Sequence, residues 1–362
     1  MDEKEKLQTF VITVLSMLGK DVILRSKDVL ASRDPNPNVR DVVVRTLVEL
    51  IKTEPEPESI VSILVQWAKP RQNENVREIA IQTLRNREVE DIVTPVLVDS
   101  LQNEDEDIRE TAEQILSEFD LCKILPSLSS ILKNAGTHVY DSVIPLLIRS
   151  FECEDKDLRE TASTMLVNIG EPAIGALIEA LGHDNWRVRD KARRTLQSVG
   201  TLSIPYLRPA LKHENEQVRE LVARALGEIR VTSAVSDLLE ALKDNAPGVR
   251  AGAATALGKI RAKDAISPLI QALQDSDQRV YAAAMWALSE IGAEIGEPII
   301  SVLIEALREG DERTREAVVH ILGNLGAAAV PGLEAALGEG DERTREAVEQ
   351  VLESMGIKLD GQ

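Results

Sequence analysis

The 362 residues carry 42 basic and 61 acidic side chains, a formal charge of −19, with 43% hydrophobic and only 2% aromatic residues. Nucleic-acid binding rests on Lys and Arg neutralising phosphates, so this balance argues against a general nucleic-acid binder. A core so poor in aromatics must be built from Leu, Ile, Val and Ala, which suits layers of helices better than a β-sandwich.

Taken in chain order, the first 34 residues hold an apolar stretch from Phe10 to Leu18, too short to span a membrane and with an acidic flank unlike a signal peptide. We expect amphipathic capping helices over 1–34. From residue 35 onward one pattern recurs: an acidic or Asn-containing turn, an apolar residue, an Arg, and a helical run with Leu seven places after the Arg. The anchors are Arg40, Arg77, Arg109, Arg159, Arg189, Arg219, Arg250, Arg315 and Arg345, with Tyr281 in the same place. The residues seven on are Leu47, Leu84, Leu116, Leu166, Leu196, Leu226, Leu257, Leu288, Leu322 and Leu352. From Arg159 the anchors lie 30, 30, 31, 31, 34 and 30 residues apart, which fits one helix–turn–helix unit of two short helices.

Within each unit the Arg-bearing helix places apolar residues one before the Arg and three, seven and ten after it, as Val188, Ala192, Leu196 and Val199 do around Arg189. That spacing makes a single stripe. Asp, Asn or Glu before the helix suits its N-cap, and Gly170, Gly200, Gly292, Gly326 and Gly356 suit a left-handed stop after it. A shorter helix precedes each Arg helix, and Pro95, Pro145, Pro205, Pro268 and Pro331 are expected near its start, where a missing N–H matters least. Neither helix buries its apolar side alone, so the units must stack.

Two stretches break the rule. Arg40 and Arg77 are 37 residues apart with TEPEPES between, and Arg109 and Arg159 are 50 apart. In the second gap ILPSLSSIL reads as a first helix and VIPLLIRSFECEDKDLR as the start of another unit. About twelve residues of a second helix are therefore missing, with a change of curvature or a hinge expected near 134–145. The organisation is 1–34 capping helices, 35–134 irregular units, 135–152 a degenerate unit, 153–356 regular units and 357–362 a tail.

Strings such as DNWRVRDKARRTLQSVG and DNAPGVRAGAATALGKI resemble the HEAT-like repeats named after phycobilisome lyases, over about residues 35–356. The resemblance implies an all-α, right-handed α-solenoid of about eleven helix pairs. It implies a hydrogen-bonded ladder made by Arg77, Arg109, Arg159, Arg189, Arg219, Arg250, Arg315 and Arg345, interrupted at Tyr140 and Tyr281. It leaves the function open, because the same repeat serves scaffolds, adaptors, lyases and enzyme domains.

No catalytic, cofactor-binding or metal-binding residue stands out. Cys122 and Cys153 follow no ligand spacing and read as reduced thiols in a cytoplasmic protein. HEAT-like di-iron hydroxylases use several His-Glu pairs, whereas His213-Glu214 is the single one here beside His138, His183 and His320. No phosphate loop, nucleophile elbow or zinc-helix motif occurs. The middle third nonetheless differs from its flanks, with 15 basic and 16 acidic side chains against 15 and 25 before it and 12 and 20 after it.

On the face opposite the stripe most units offer Glu, Gln, Thr, Ala and Asn. The units of Arg189, Arg219 and Tyr281 instead offer Trp186, Arg187, Lys191, Arg194, Leu221, Arg224 and Trp286. Exposed Trp and Arg are enriched at interface hot spots. The expected function is a non-catalytic scaffold or adaptor, binding another protein with an acidic segment on the concave face, and no nucleic acid or membrane. The alternative is a bilin lyase or lyase subunit. The plain structural reading of the patch is that Trp186 packs between units and the arginines are solvated or paired to Asp184 and Asp190.

Overall fold

The computed structural model describes residues 37–132, 137–339 and 342–357. The expected capping helices of 1–34 lie outside them. The described residues form twenty α-helices and no strand. The chain divides into two compact units, Met1–Ala173 and Ile174–Gln362.

In the first unit α1 (Pro37–Thr53) is a second, Arg-bearing helix. It is followed by the pairs α2 (Pro57–Trp67) with α3 (Glu74–Leu84), and α4 (Glu90–Ser100) with α5 (Glu106–Leu116). Then come α6 (Leu121–Leu132), α7 (Thr137–Arg149) and α8 (Lys156–Ile169). First helices stack on first helices, as α2 on α4 and α4 on α6, and second helices on second, as α1 on α3.

The missing second helix is visible in this order, because α6 and α7 are both first-type. Part of its place is taken by the N-terminal half of α7, which touches α5: the Ser142 hydroxyl donates to Glu113. From the other end of α7, Arg149 donates to the carbonyls of Leu116 (3.4 Å) and Phe119 (3.2 Å), covering the open C-terminus of α5. The expected hinge is not a break in the helix over 137–145, since α7 runs through it; residues 134–136 lie outside the description.

In the second unit the pairs are α9 (Glu171–Ala180), whose first residues belong to the first unit, with α10 (Trp186–Val199), and α11 (Ile204–Ala210) with α12 (Glu216–Ile229). They continue as α13 (Val235–Ala241) with α14 (Pro247–Ile260), α15 (Ile266–Ala272) with α16 (Gln278–Ile295), α17 (Glu297–Glu309) with α18 (Glu312–Leu325), and α19 (Val330–Glu339) with α20 (Glu342–Ser354). Second helices pack in sequence from α10 to α20. The protein is an α-solenoid.

The local signals explain where the helices start. Asn73, Asp105, Asp155, Asn185, Asn215, Asp277 and Asp311 each cap a second helix by accepting a backbone N–H of its first turn. The exception is Ala246, where Pro247 at N1 has no N–H to satisfy. All ten Leu seven after the anchor are buried, nine of them at 0% exposure.

The stops are less uniform. Gly170, Gly200, Gly296, Gly326 and Gly356 end second helices at positive φ, but α12 and α14 stop at Arg230 (φ 58) and Arg261 (φ 59). Gly292, expected as a stop, lies inside α16; the helix runs one turn further to Gly296, which accounts for the 34-residue spacing of that unit. Pro95 and Pro145 also sit inside α4 and α7 rather than near their starts, because both helices begin earlier than expected.

The anchor arginine is a clamp. Its Nη1 donates to two carbonyls of the preceding turn, six and five residues back: Asn103 and Glu104 for Arg109, Cys153 and Glu154 for Arg159, His183 and Asp184 for Arg189. Arg219 does the same to His213 and Glu214, and Arg250 to Asp244 and Asn245. Arg77 instead donates its Nε to the Ala68 carbonyl (3.3 Å). Of the five clamps the last two also reach the next unit, as Arg40 does through Asn75 (3.4 Å). Arg219 binds Asp244 through Nε (2.8 Å) and Nη2 (3.0 Å), and Arg250 binds Asp275 at 2.6 and 2.9 Å. Arg315 has no such turn to hold, since only Gly310 and Asp311 separate α17 from α18; its ion pair is with Glu312 at 3.5 Å.

At Tyr281 the expected interruption is bridged from elsewhere. Arg313 of the next unit stacks over the Tyr281 ring (4.6 Å) and donates to the Asp275 carbonyl (2.7 Å), the group six residues back that an arginine at 281 would have held.

The ladder arginines should therefore be unequal. Arg250→Ala strips a guanidinium only 19% exposed from a carboxylate 13% exposed and should destabilise by about 2–3 kcal/mol in urea unfolding followed by circular dichroism. Arg315→Ala should cost less than Arg250→Ala, because the carboxylate it pairs with, Glu312 at 3.5 Å, is 83% exposed. Hydrogen bonds from Arg250 hold the Asp275 carboxyl below its ordinary value against its burial. For Asp244, burial pushes upward, but the bonds from Arg219 and the Ala246 N–H outweigh it and leave the carboxyl low. A lowered folded-state pKa stabilises above the unfolded value and is lost as pH falls through the folded one. Stability should thus drop below about pH 4, and less steeply in Asp275→Asn.

Candidate functional site

Helices α12, α14 and α16 approach unusually closely because small residues face each other. A Cβ on Gly227 would stand 2.5 Å from the Ala256 Cα, and one on Gly258 2.7 Å from the Ala287 Cα. The position two after the anchor, expected to face outward, is buried here as it is at Ile79, Thr111 and Ala317: Lys191 and Leu221 are each 9% exposed. They are corrected here from surface to interior.

The other expected residues are exposed. Trp186, at the first turn of α10, is 63% exposed, with the Arg187 guanidinium 5.8 Å from its ring. Arg194 pairs with Asp190 (2.8 Å) and Arg224 with Glu220 (2.8 Å). Trp286 is 39% exposed and its ring lies over Gly258, where an added Cβ would meet it at 2.9 Å.

Two adjoining concavities gather these groups. One brings Trp186, Leu221 and Arg224 together with Arg189, Asp190 and Gln217. The other brings Arg194 and Trp286 together with Arg230, Arg261 and Glu290. Arg193, Glu228 and Lys259 line both. Glu228 is shared between Arg193 and Lys259 (3.4 Å), tying α10, α12 and α14 into one floor. Arg187 and Lys191 line neither.

Sequence reasoning missed Arg193, Lys259, Arg230 and Arg261. Lys259 sits nine after its anchor, on the face opposite the apolar stripe, and could have been found from spacing. Arg230 and Arg261 sit past the helix end, in a left-handed conformation that costs a non-glycine residue roughly 1–2 kcal/mol.

Helices α10, α12, α14 and α16 with their stops Arg230 and Arg261 hold twelve basic and six acidic side chains. The second helices α3, α5 and α8 hold four and eight. The cationic surface is thus local to one run of the repeat.

His183 and His213 serve the turns that hold them. The Nδ1 atoms of His183 and His213 accept the N–H of Asn185 and Asn215 (both 3.0 Å), closing the inter-helix turn as Asp244 and Asp275 do in theirs. Burial pushes the Cys153 thiol up, away from the reactive thiolate. Among the described residues no group of three or more His, Cys, Asp or Glu could hold a metal ion. The stretch Glu312–Gly338 is apolar enough by composition to cross a membrane. Gly326 at φ 58 ends α18 within it, however, and neither α18 nor α19 has the ~20 residues a crossing needs.

A family model described as HEAT repeats matches residues 27–117, 141–215, 204–289 and 266–353. This chain belongs to the HEAT-repeat family. The gap between its first two HEAT matches covers α6 and the start of α7, where the second helix is missing. No curated protein matches.

Among solved structures, an engineered protein is 18% identical over 91% of this chain and 98% of its own, with a TM-score of 0.39. Importin β is 16% identical over 91% of this chain and 51% of its own (TM-score 0.42). The complex of CpcE and CpcF of phycocyanin lyase from Nostoc sp. PCC7120 is 25% identical over 41% and 97% (TM-score 0.36). This HEAT chain spans about half the length of importin β.

The burial of the flank makes a direct test. Lys191→Glu puts a carboxylate into a buried site and should destabilise by roughly 2 kcal/mol or more. Arg194→Glu, at a 65% exposed side chain, should stay within about 1 kcal/mol. Both are read from urea midpoints.

Proposed function

We propose that the chain is a protein-interaction scaffold whose partner lies along the second helices α10 to α16. The observation that carries this is the concentration of exposed Trp and Arg on a cationic surface, within a molecule of formal charge −19. Long-range repulsion from the rest of the chain disfavours an anionic partner approaching elsewhere, so the surface selects both partner and docking site. An acidic polypeptide segment fits it, with Trp186 and Trp286 as the apolar anchors. The proposal needs no reaction and no cofactor, and it sets the protein in a reducing, cytoplasmic compartment, which suits the free Cys153 thiol.

The test compares affinity capture by the intact chain with capture by an Arg194→Glu, Arg224→Glu, Trp286→Ala variant, all three at exposed positions. Circular dichroism should show equal helicity. A partner retained by the intact chain should be lost from the variant, and should weaken at about 0.5 M salt, where charges are screened within a few ångströms. Retention of the same set by both would move the partner off this surface. No captured protein, but a preparation coloured by bound bilin, would replace the scaffold reading with the lyase one.

A further inference from the structure

The concavity at the C-terminal ends of α10, α12 and α14 has features that a general protein-docking face does not require. Five cations line it: Arg193, Arg194, Arg230, Lys259 and Arg261, with Trp286 at its side. Two of these are helix stops held in the left-handed region, where five other second helices use glycine. Glycine would relieve the strain at both places, and an arginine stop is retained at both. A cation near a helix C-terminus is favourable by itself, and Lys52 and Arg85 supply it at α1 and α3 with no positive φ; Arg230 and Arg261 differ in holding the left-handed conformation as well.

The internal acids indicate what the site would take. Glu228 already neutralises Arg193 and Lys259, Asp190 pairs with Arg193 and Arg194, and Glu294 pairs with Arg261 at 2.5 Å. An entering carboxylate would exchange with these like for like. A phosphate monoester brings about −1.5 to −2 charge and three strong acceptor oxygens, and planar guanidinium groups match it in bidentate fashion. The cations also stop short: Glu290 and Glu294 bound the site on α16, and α20 carries four acidic and two basic side chains. A polyanion such as a nucleic-acid strand would have no continuous track, whereas a single dianionic group would.

We propose that this concavity receives one phosphate monoester, borne by a phosphorylated side chain of the partner protein, with Arg230 and Arg261 as its ligands beside Arg193, Arg194 and Lys259. The proposal rests on the scaffold reading and adds a chemical switch to it, since binding would require the partner to be phosphorylated.

Phenyl phosphate is the minimal probe, titrated against full-length protein carrying Trp186→Phe, so that Trp286 is the exposed reporter and buried Trp67 a constant background. Saturable quenching at least tenfold tighter than with benzoate is expected. Arg230→Gly with Arg261→Gly should weaken it at least tenfold while the melting temperature stays equal or rises, because strain is removed. Equal binding of benzoate, or an unchanged affinity in the double glycine variant, would overturn the proposal. So would tighter binding of a single-stranded oligonucleotide with the same sensitivity to that variant. Phosphatase treatment of the lysate separates the two readings: capture should be lost, and capture that persists sinks the phosphate proposal while leaving the scaffold intact. No capture before treatment sinks the scaffold reading itself.

Discussion

The arrangement depends on a guanidinium that holds two adjacent carbonyls of the turn before its own helix. A five-residue turn such as 181–185 or 242–246 reverses the chain between a first and a second helix, and its own carbonyls lie outside both helical ladders. Arg189 and Arg250 satisfy two of those carbonyls from the next helix, so the turn closes at a fixed geometry. The requirement belongs to the carbonyls and not to the residue number. Arg313 shows this by reaching back a whole unit to the Asp275 carbonyl when Tyr281 cannot supply the bond.

The second bond of the clamp, to the next unit, has a further condition. Arg219 and Arg250 find Asp244 and Asp275 across interfaces where glycine meets alanine and backbones nearly touch. In the turns before α10 and α12 the corresponding residue is His183 or His213, whose Nδ1 closes the local turn. Ladder and close packing thus occur together over α12, α14 and α16. That close approach lays the Trp286 ring over Gly258. The candidate site is a consequence of how tightly this run of helices is drawn together.

That dependence explains what was legible in the sequence. The repeat register, the leucine seven after each anchor, the N-caps and the absent second helix are properties of one helix or one turn, and spacing alone reveals them. Lys191 was misplaced because a helical stripe fixes only the face toward the paired first helix. The position two after the anchor lies on the flank of that stripe, and it is buried in units across the repeat, at Ile79, Thr111 and Ala317 as at Lys191. Gly292 was misread because a glycine at the usual distance reads as a stop, and Ala293, Glu294 and Ile295 continue α16 past it. Arg230 and Arg261 were invisible because their importance lies in backbone conformation, which no side-chain pattern encodes.

Charge in such an array must be counted by position. Arg189, Arg219 and Arg250 are committed to turn carbonyls, and they recur in acidic units as well, so they say nothing about a ligand. Removing them leaves nine basic side chains on α10, α12, α14, α16 and the two stops, still more than the six acidic ones. The surplus lies at positions where the repeat demands no particular residue type: four and five after Arg189 for Arg193 and Arg194, nine after Arg250 for Lys259, and at the two stops where glycine would be the easier choice. A side chain placed where the fold asks for nothing, or asks for something else, is the one that carries information about binding.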